Sequence, residues 1–279
     1  MAIIKNYAKN AARHRPAPRR SAPLGRAFQV LSVLIEAIRP MSTIEIAQRC
    51  ELDTSTVHRM LQSLAFEGYV LREESTKRYF GHPRLLLPLP VYHPWNVSRR
   101  DAGPALIALR DQLGFTTGLI VFCLGQRILL ELAVGRDPLG PDYQTCLSSP
   151  LHASGSGKVM LMGMSVAARQ RALGAEPYER FTPKTATVAE LLDRELAEAE
   201  KRGYVLACDD YVPGFRVVAA PLRAGPTIVG CLFSSGRSTG LSDDALPQVG
   251  SAIRQSAEFL SVALPSLRNL ADLLGDTSP

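Results

Sequence analysis

The stretch from Ser42 to Gly68, STIEIAQRCELDTSTVHRMLQSLAFEG, constrains the fold more than any other. Ser42 and Glu45 form an S-x-x-E capping box, in which the serine hydroxyl accepts from the amide three residues on and the glutamate reaches back. Asp53 is a second N-cap candidate, placed just before TSTVHRMLQSLAFE. In that second segment Val57, Met60, Leu61 and Leu64 recur at helical spacing and make one buried stripe. The opposite face carries Thr54, Ser55, His58, Arg59 and Gln62. Short hydroxyls at a helix start followed by long donors suit a helix whose N-terminal end enters a DNA major groove. The stretch reads as a helix-turn-helix with its recognition helix at 54–67, and Thr56 joins the candidate DNA contacts. The competing reading is a pair of capped helices in an all-helical domain that never meets DNA, and the flanks decide between them.

Upstream, AFQVLSVLIEAI from Ala27 to Ile38 is apolar on most of its circumference, which predicts a buried first helix stopped by Pro40. Downstream, Gly68 supplies the stop for the recognition helix. YVLRE, the polar turn ESTK and RYFG then form a hairpin signal. A hairpin directly after a recognition helix is the wing of a winged helix-turn-helix, with Arg72, Lys77 and Arg78 as phosphate contacts.

Residues 1–25 are basic and rich in Pro and Ala, with no acid before Glu36, and predict a disordered arm. Such an arm either lies along phosphates or an adjacent minor groove, or is a tail without a role. Arg26 closes the basic run and is counted with the DNA contacts. Residues 1–82 hold 13 Lys/Arg against 7 Asp/Glu, a net of +6, whereas residues 83–279 hold 19 of each. The whole charge excess therefore accompanies the segment read as DNA-binding, which points to a polyanionic partner.

At 279 residues the chain exceeds one average domain. The organisation expected is an arm at 1–25, a winged helix-turn-helix at 26–82, a linker at 83–98 and a second domain at 99–270. HPRLLLPLPVYHPW carries four prolines and marks the boundary. His82 and His93 in it offer no ligand geometry, and the five cysteines are widely spaced without a C-x-x-C. No metal, no cofactor and no disulfide framework are therefore expected. No run reaches the roughly 18 to 20 apolar residues of a membrane span. The N-terminus also lacks the apolar core of a signal peptide, so a cytoplasmic location without a membrane partner is expected.

From residue 99 the pattern mixes helices and strands. Residues 101–113 look helical, with Ala105, Leu106, Leu109 and Leu113 as the apolar face. TGLIVFCL and RILLELAV are strands separated by Gly125-Gln126, and 136–150 is a Gly/Pro-rich loop. PLHASGSGKVMLMGM follows, in which a glycine-rich turn opens a helix. A charged helix at 187–202, strands at 204–208, 215–222 and 227–234, and a last helix from about Asp243 to beyond Leu264 complete the chain. This interleaving indicates a sensor-type domain with a largely antiparallel sheet, so the fold class is α+β.

HASGSGKVM is not a P-loop. The Walker spacing needs a glycine where His152 stands and a Ser or Thr where Val159 stands. The turn instead exposes amides at a helix N-terminus, either as a site for a small carboxylate or as a plain tight connection. Ser154, Ser156, His152, Asp209 and Asp210 are available for nucleophilic chemistry, but no G-x-S-x-G elbow is present and no catalytic residue is assigned.

RAFQVLSVL, TSTVHRMLQSLAFEGYV with RYFG, PLHASGSGK and GFRVVAAPLRAGPTIVGCLFSSG appear in this order over about 26 to 265, and together resemble the IclR family of bacterial transcriptional regulators. The resemblance implies a winged helix-turn-helix joined to a GAF/PAS-like α/β effector-binding domain. It also implies dimers or tetramers on near-palindromic operator DNA, and a small organic or aromatic acid as effector. In family members that bind small keto acids, backbone amides of the glycine-rich turn hold ligand oxygens, which here match Gly155 and Ser156. A cysteine of that pocket is matched by Val217, and two serines by Phe233 and Ser235. A pocket that loses two hydrogen-bonding groups and gains a phenyl ring should take a larger, less polar ligand, with Phe215 and Phe122 as added wall. The alternative is that Val217 and Phe233 are core packing. Two rivals to the whole reading are a small-molecule enzyme using a helix-turn-helix for assembly, and a regulator whose second domain no longer binds any ligand.

Overall fold

The computed structural model describes residues 23–37, 39–82, 85, 92–123, 125–136, 147 and 149–266. They fall into two compact units, one within Pro16–Pro90 and the other from Val91 onward. Residues 1–22 of the stretch read as a basic arm (1–25), most of the proline-rich segment and most of the 136–150 loop lie outside the described residues, whereas residues 23–25 of that stretch are helical rather than disordered.

The first unit holds helices α1 (Pro23–Ile35), α2 (Thr43–Cys50) and α3 (Thr54–Phe66), then the antiparallel hairpin β1 (Val70–Arg72) and β2 (Tyr79–Gly81). The capping box forms at the start of α2: the Glu45 amide donates to Ser42 Oγ at 3.2 Å, and the Ser42 amide donates to Glu45 Oε2 at 2.7 Å. Val30, Val33, Leu34, Ile46, Val57, Leu61 and Tyr79 fill the core. Met60 and Leu64, expected in the buried stripe, pack at its margin.

Two local expectations change. Helix α1 starts four residues earlier than its apolar run, and its apolar excess faces outward, with Leu24 69% and Phe28 59% exposed. A core this small covers only the Val30–Val33–Leu34 stripe. Asp53 takes the extended backbone of an N-cap, but its exposed carboxylate caps no amide. Only its carbonyl, accepting from the Val57 amide at 3.0 Å, closes the first turn of α3. The helix ends as expected, with Gly68 in the left-handed region at φ 73°.

The second unit opens with α4 (Pro94–Leu113), which begins inside the stretch read as linker. His93 Nδ1 accepts from the Trp95 amide at 3.3 Å, and Pro94 sits in the first turn, where its missing N–H costs nothing. Strands β3 (Thr116–Cys123) and β4 (Gln126–Ala133) follow, then α5 (Gly155–Met162), α6 (Val166–Leu173) and α7 (Ala189–Arg202). Strands β5 (Val205–Cys208), β6 (Phe215–Ala224) and β7 (Thr227–Arg237) and helix α8 (Leu246–Ala263) complete the unit. Helix α6, which the sequence reading did not assign, is started by the Ser165 side chain accepting from the Ala168 amide at 3.2 Å.

The five strands run β4-β3-β7-β6-β5, with every pairing antiparallel. Helices α4 and α8 cover one face, where Leu106, Leu119, Leu222, Leu232, Ile253 and Leu260 meet. Helix α5 covers the other, where Val159 and Met160 meet Ile120, Phe122, Cys231 and Phe233. Burial on both faces explains why β3 and β7 read as continuous apolar runs rather than alternating ones.

Candidate DNA-binding and effector sites

Helix α3 leaves Thr54, Ser55, His58, Arg59 and Gln62 exposed and Thr56 half-buried. No hydrogen bond or ion pair ties the His58, Arg59 or Gln62 side chains to the described residues, so the long donors of this face are available. They are spread around the helix. Arg59 and Thr56 border an open apolar groove of about 840 Å³ between α3 and α1, which Arg26, Phe28 and Met60 also line. His58 projects from the other flank.

The wing cations differ in availability. The Arg72 guanidinium lies 5.8 Å from the Tyr79 ring centroid, an exposed cation–π contact. Lys77 pairs with Glu74 at 2.9 Å across the turn. Arg78 is drawn into the fold: its Nη1 donates to Glu45 Oε2 at 2.7 Å and to the Pro40 carbonyl at 3.1 Å. It ties the wing to the start of α2 and is the least available of the three for phosphate. Glu45 is held at a pKa of about 2 by the Ser42 amide first, then by the Ser42 hydroxyl and the Arg39 and Arg78 guanidiniums.

In the second unit the glycine-rich turn leads into α5 with Ser154 at the N-cap. Its hydroxyl does not cap; it donates to the Pro150 carbonyl at 2.6 Å. The amides of Gly155, Ser156 and Gly157 are orphans of the first turn and find no acceptor among the described residues. Both glycines are required by close approach. A Cβ on Gly157 would stand 2.4 Å from the Leu151 carbonyl oxygen, and one on Gly155 would press on Val217.

The residues matched to the effector pocket share this side of the sheet. Val217 touches Gly155 and is paired with Ser235, which is buried. Phe122 and Phe233 lie in the same apolar cluster as Val217 and α5. Phe233 sits opposite Gly118, where any Cβ would meet its ring. Phe215 is two residues before Val217 on the same strand face, half-exposed at the end of the sheet.

Sequence reading missed Arg127. It stands directly opposite Phe122 in the β3–β4 ladder and is 4% exposed. Its Nη1 donates to Ser154 Oγ at 2.8 Å, Ser156 Oγ at 3.1 Å and Ser149 Oγ at 3.2 Å. Its Nη2 donates to the carbonyls of Leu147 and Ser149. The only signal was one charge at the start of the apolar run RILLELAV, where an outward charge is the ordinary expectation.

Lys158, the residue that invites a phosphate-binding reading, is buried and committed elsewhere. Its ammonium is bonded to Asp210 and lies 2.7 Å from Glu195 Oε2, off that oxygen's hydrogen-bond direction. The groups weighed for nucleophilic chemistry are likewise separated. His152 Nε2 contacts the Glu179 carbonyl at 2.9 Å, and Asp209 pairs with Lys184 at 2.9 Å. Among the described residues no group of three or more His, Cys, Asp or Glu is placed to hold a metal. Burial raises the Cys231 thiol to about 12, which keeps it protonated and unreactive. No helix of the described residues is long and apolar enough to cross a membrane.

Comparison with known proteins agrees with this arrangement. The IclR helix-turn-helix domain matches residues 23–74, and the bacterial transcriptional regulator IclR C-terminal domain matches residues 98–262. The HTH-type transcriptional regulator BhcR of Paracoccus denitrificans (strain Pd 1222) is 30% identical over 243 residues, covering 86% of each chain. The probable transcriptional regulator SauR of Cupriavidus necator is 32% identical over 203 residues, 71% of this chain and 78% of its own. Among solved structures, the Thermotoga maritima IclR superposes with a TM-score of 0.70 at 23% identity, over 86% of this chain and 98% of its own. An IclR homologue from Microbacterium hydrocarbonoxydans, complexed with 4-hydroxybenzoate, superposes with a TM-score of 0.74 at 23% identity, over 89% of this chain and all of its own. With a helix-turn-helix and an antiparallel α/β second unit, each matched by a model of that family, the chain belongs to the IclR family of bacterial transcriptional regulators.

Proposed function

We propose that α3 reads an operator in the major groove, with Arg59 contacting a base and Arg72 and Lys77 on phosphates, and that a small organic acid bound beside α5 modulates this binding. The observation that carries the first half is the set of exposed donors on α3 that no contact with the described residues commits. The second half is supported by the orphan amides of Gly155, Ser156 and Gly157 at a helix N-terminus, a setting that favours an anion. Phe122 and Phe233 beside them favour an acid with an aromatic body. A homologous fold crystallised with 4-hydroxybenzoate makes that acid a natural first probe. Two copies of the chain on a near-palindromic operator would couple the sites, because ligand binding that shifts dimer or tetramer geometry changes the spacing of the recognition helices.

A second reading has its own observation. Phe122 and Phe233 are almost fully buried against one another's cluster, which is what core packing in a ligand-blind sensor would give. Fluorescence anisotropy on DNA upstream of the chain's own gene and on an unrelated duplex, at two salt concentrations, tests operator reading. Tighter upstream binding that survives added salt is expected; equal, salt-sensitive binding to both duplexes would reduce the protein to a phosphate binder. A thermal-shift screen of aromatic and keto acids then separates a sensing from a ligand-blind protein.

A further inference from the structure

We infer that Glu45 is a positioning residue for DNA reading: through Arg78 it fixes the wing to the frame that carries α3, so that base and phosphate contacts fall on one duplex together. The inference rests on reading α3 and the wing as the DNA-contacting elements. A hairpin of two three-residue strands is at best marginally stable by itself, so its direction is set by what it is tied to. One tie is backbone. Met41, just before α2, and Tyr79 on β2 exchange hydrogen bonds at 2.8 and 2.7 Å, and Tyr79 is buried in the core. A single bridged pair leaves the rest of the hairpin able to tilt about it. The second tie comes from the neighbouring residue, Arg78, whose Nη1 reaches Glu45 Oε2 at 2.7 Å and the Pro40 carbonyl at 3.1 Å.

Glu45 suits this task because its carboxylate is itself held. Oε2 also accepts from the Ser42 amide at 2.7 Å, and Oε1 accepts from Arg39 Nη2 at 3.1 Å. Its helix shares a core with α3, where Ile46 clusters with Val57 and Leu61. From Arg78 the tie passes to both cations assigned to phosphates. The Glu73 amide donates to the Arg78 carbonyl and the Lys77 amide to the Glu73 carbonyl, each at 2.8 Å, which closes the turn bearing Lys77. Arg72 is paired with Tyr79 in the β1–β2 ladder and stands over its ring. Electrostatics separate this role from a plain charge effect. A carboxylate beside a phosphate-facing wing repels DNA, and Arg39 and Arg78 only offset it. Removing the charge alone would therefore tighten binding to any duplex, so a loss of binding reports geometry.

The test uses the full chain and two duplexes, the DNA upstream of its own gene and an unrelated sequence, with anisotropy read over a salt series. The native protein is compared with Glu45→Gln, Arg78→Met and the double variant, each below its melting temperature. A further background, Arg72→Ala with Lys77→Ala, is measured with and without Glu45→Gln. Glu45→Gln is expected to weaken upstream binding on the order of tenfold and to lower the salt slope by up to about 2, the value for losing two phosphate contacts. Arg78→Met should match it, and the double variant should be no worse than either, since both break one tie. In the background without the two wing cations, Glu45→Gln should no longer weaken binding, an outcome that a role in stability alone does not give. Glu45→Gln binding the duplexes as tightly as the native protein, or more tightly, overturns the inference. Additive losses from Glu45→Gln and Arg78→Met also overturn it, and make Arg78 a phosphate contact. If the native protein binds both duplexes equally, operator reading fails while the salt slope still judges the tie to the wing. If it binds neither even at low salt, DNA reading by these elements fails and the inference with it. Should Glu45→Gln fail to fold, Arg78→Met in the two backgrounds decides.

Discussion

Gly155 and Val217 meet without room for one more carbon: a Cβ on Gly155 would lie 2.7 Å from Val217 Cγ1 and 3.2 Å from its Cβ. This contact sets how closely the start of α5 approaches β6. Gly155→Ala is therefore expected to destabilise the second unit by about 1–3 kcal/mol, the usual range for overpacking. Val217→Ala in the same chain should recover most of that loss, because the two residues share one contact. Urea unfolding of the two single variants and the double variant measures the coupling. Simple additivity would mean that α5 shifts as a body instead.

Glu45 predicts an acid-sensitive first unit. Its carboxylate is lowered from 4.5 to about 2 in the folded chain, so it favours folding above pH 4.5. That contribution is lost as pH falls from 4.5 toward about 2. Glu45→Gln should flatten the pH dependence of unfolding in this window and leave it unchanged near neutrality. A native protein with a flat profile there would show that the Ser42 and Arg78 contacts do not persist in solution.

Lys158 predicts an asymmetry between its two partners. Removing the lysine strands Asp210, itself buried, so Lys158→Met should cost about 3–5 kcal/mol. Glu195 is half-exposed, and Glu195→Gln should cost no more than about 1 kcal/mol. Chemical denaturation monitored on the second unit distinguishes them. ATP is expected to raise the melting temperature of neither the native nor the variant protein, since the ammonium is already engaged.

Arg59→Ala should weaken operator binding by about 1–3 kcal/mol and relax preference at one base position. Anisotropy on the operator and on single-base variants reads both effects. Equal weakening on every sequence would make Arg59 a phosphate contact, consistent with its place on the groove side of α3.

What was legible in the sequence follows the range of each interaction. The Ser42–Glu45 box spans three residues and formed as read, and the wing was visible as two short runs around a polar turn. Asp53 satisfied the same local rule without capping, because a side chain near an N-terminus is not obliged to choose the amide over water. The start of α4 was hidden by prolines, which mark linkers and first turns alike. The outward face of α1 was read as buried because an apolar run does not say how much core is available to cover it. Arg127 was invisible for a related reason. Which face of β4 it occupies depends on pairing with β3, and its serine partners lie 22 to 29 residues away along the chain.

The second unit is closed by its first and last helices, α4 and α8, packed on one face of the sheet. Leu106 and Leu109 share their core with Ile253 and Leu260, which are translated some 150 residues later. A growing chain therefore carries α4 without its partner until nearly the whole unit has left the ribosome. The first unit, whose contacts all lie within about 60 residues, has no such wait. The order of synthesis thus makes the helix-turn-helix the early-folding part, and leaves the face of the sheet that α4 shares with α8 incomplete until the last helix is made.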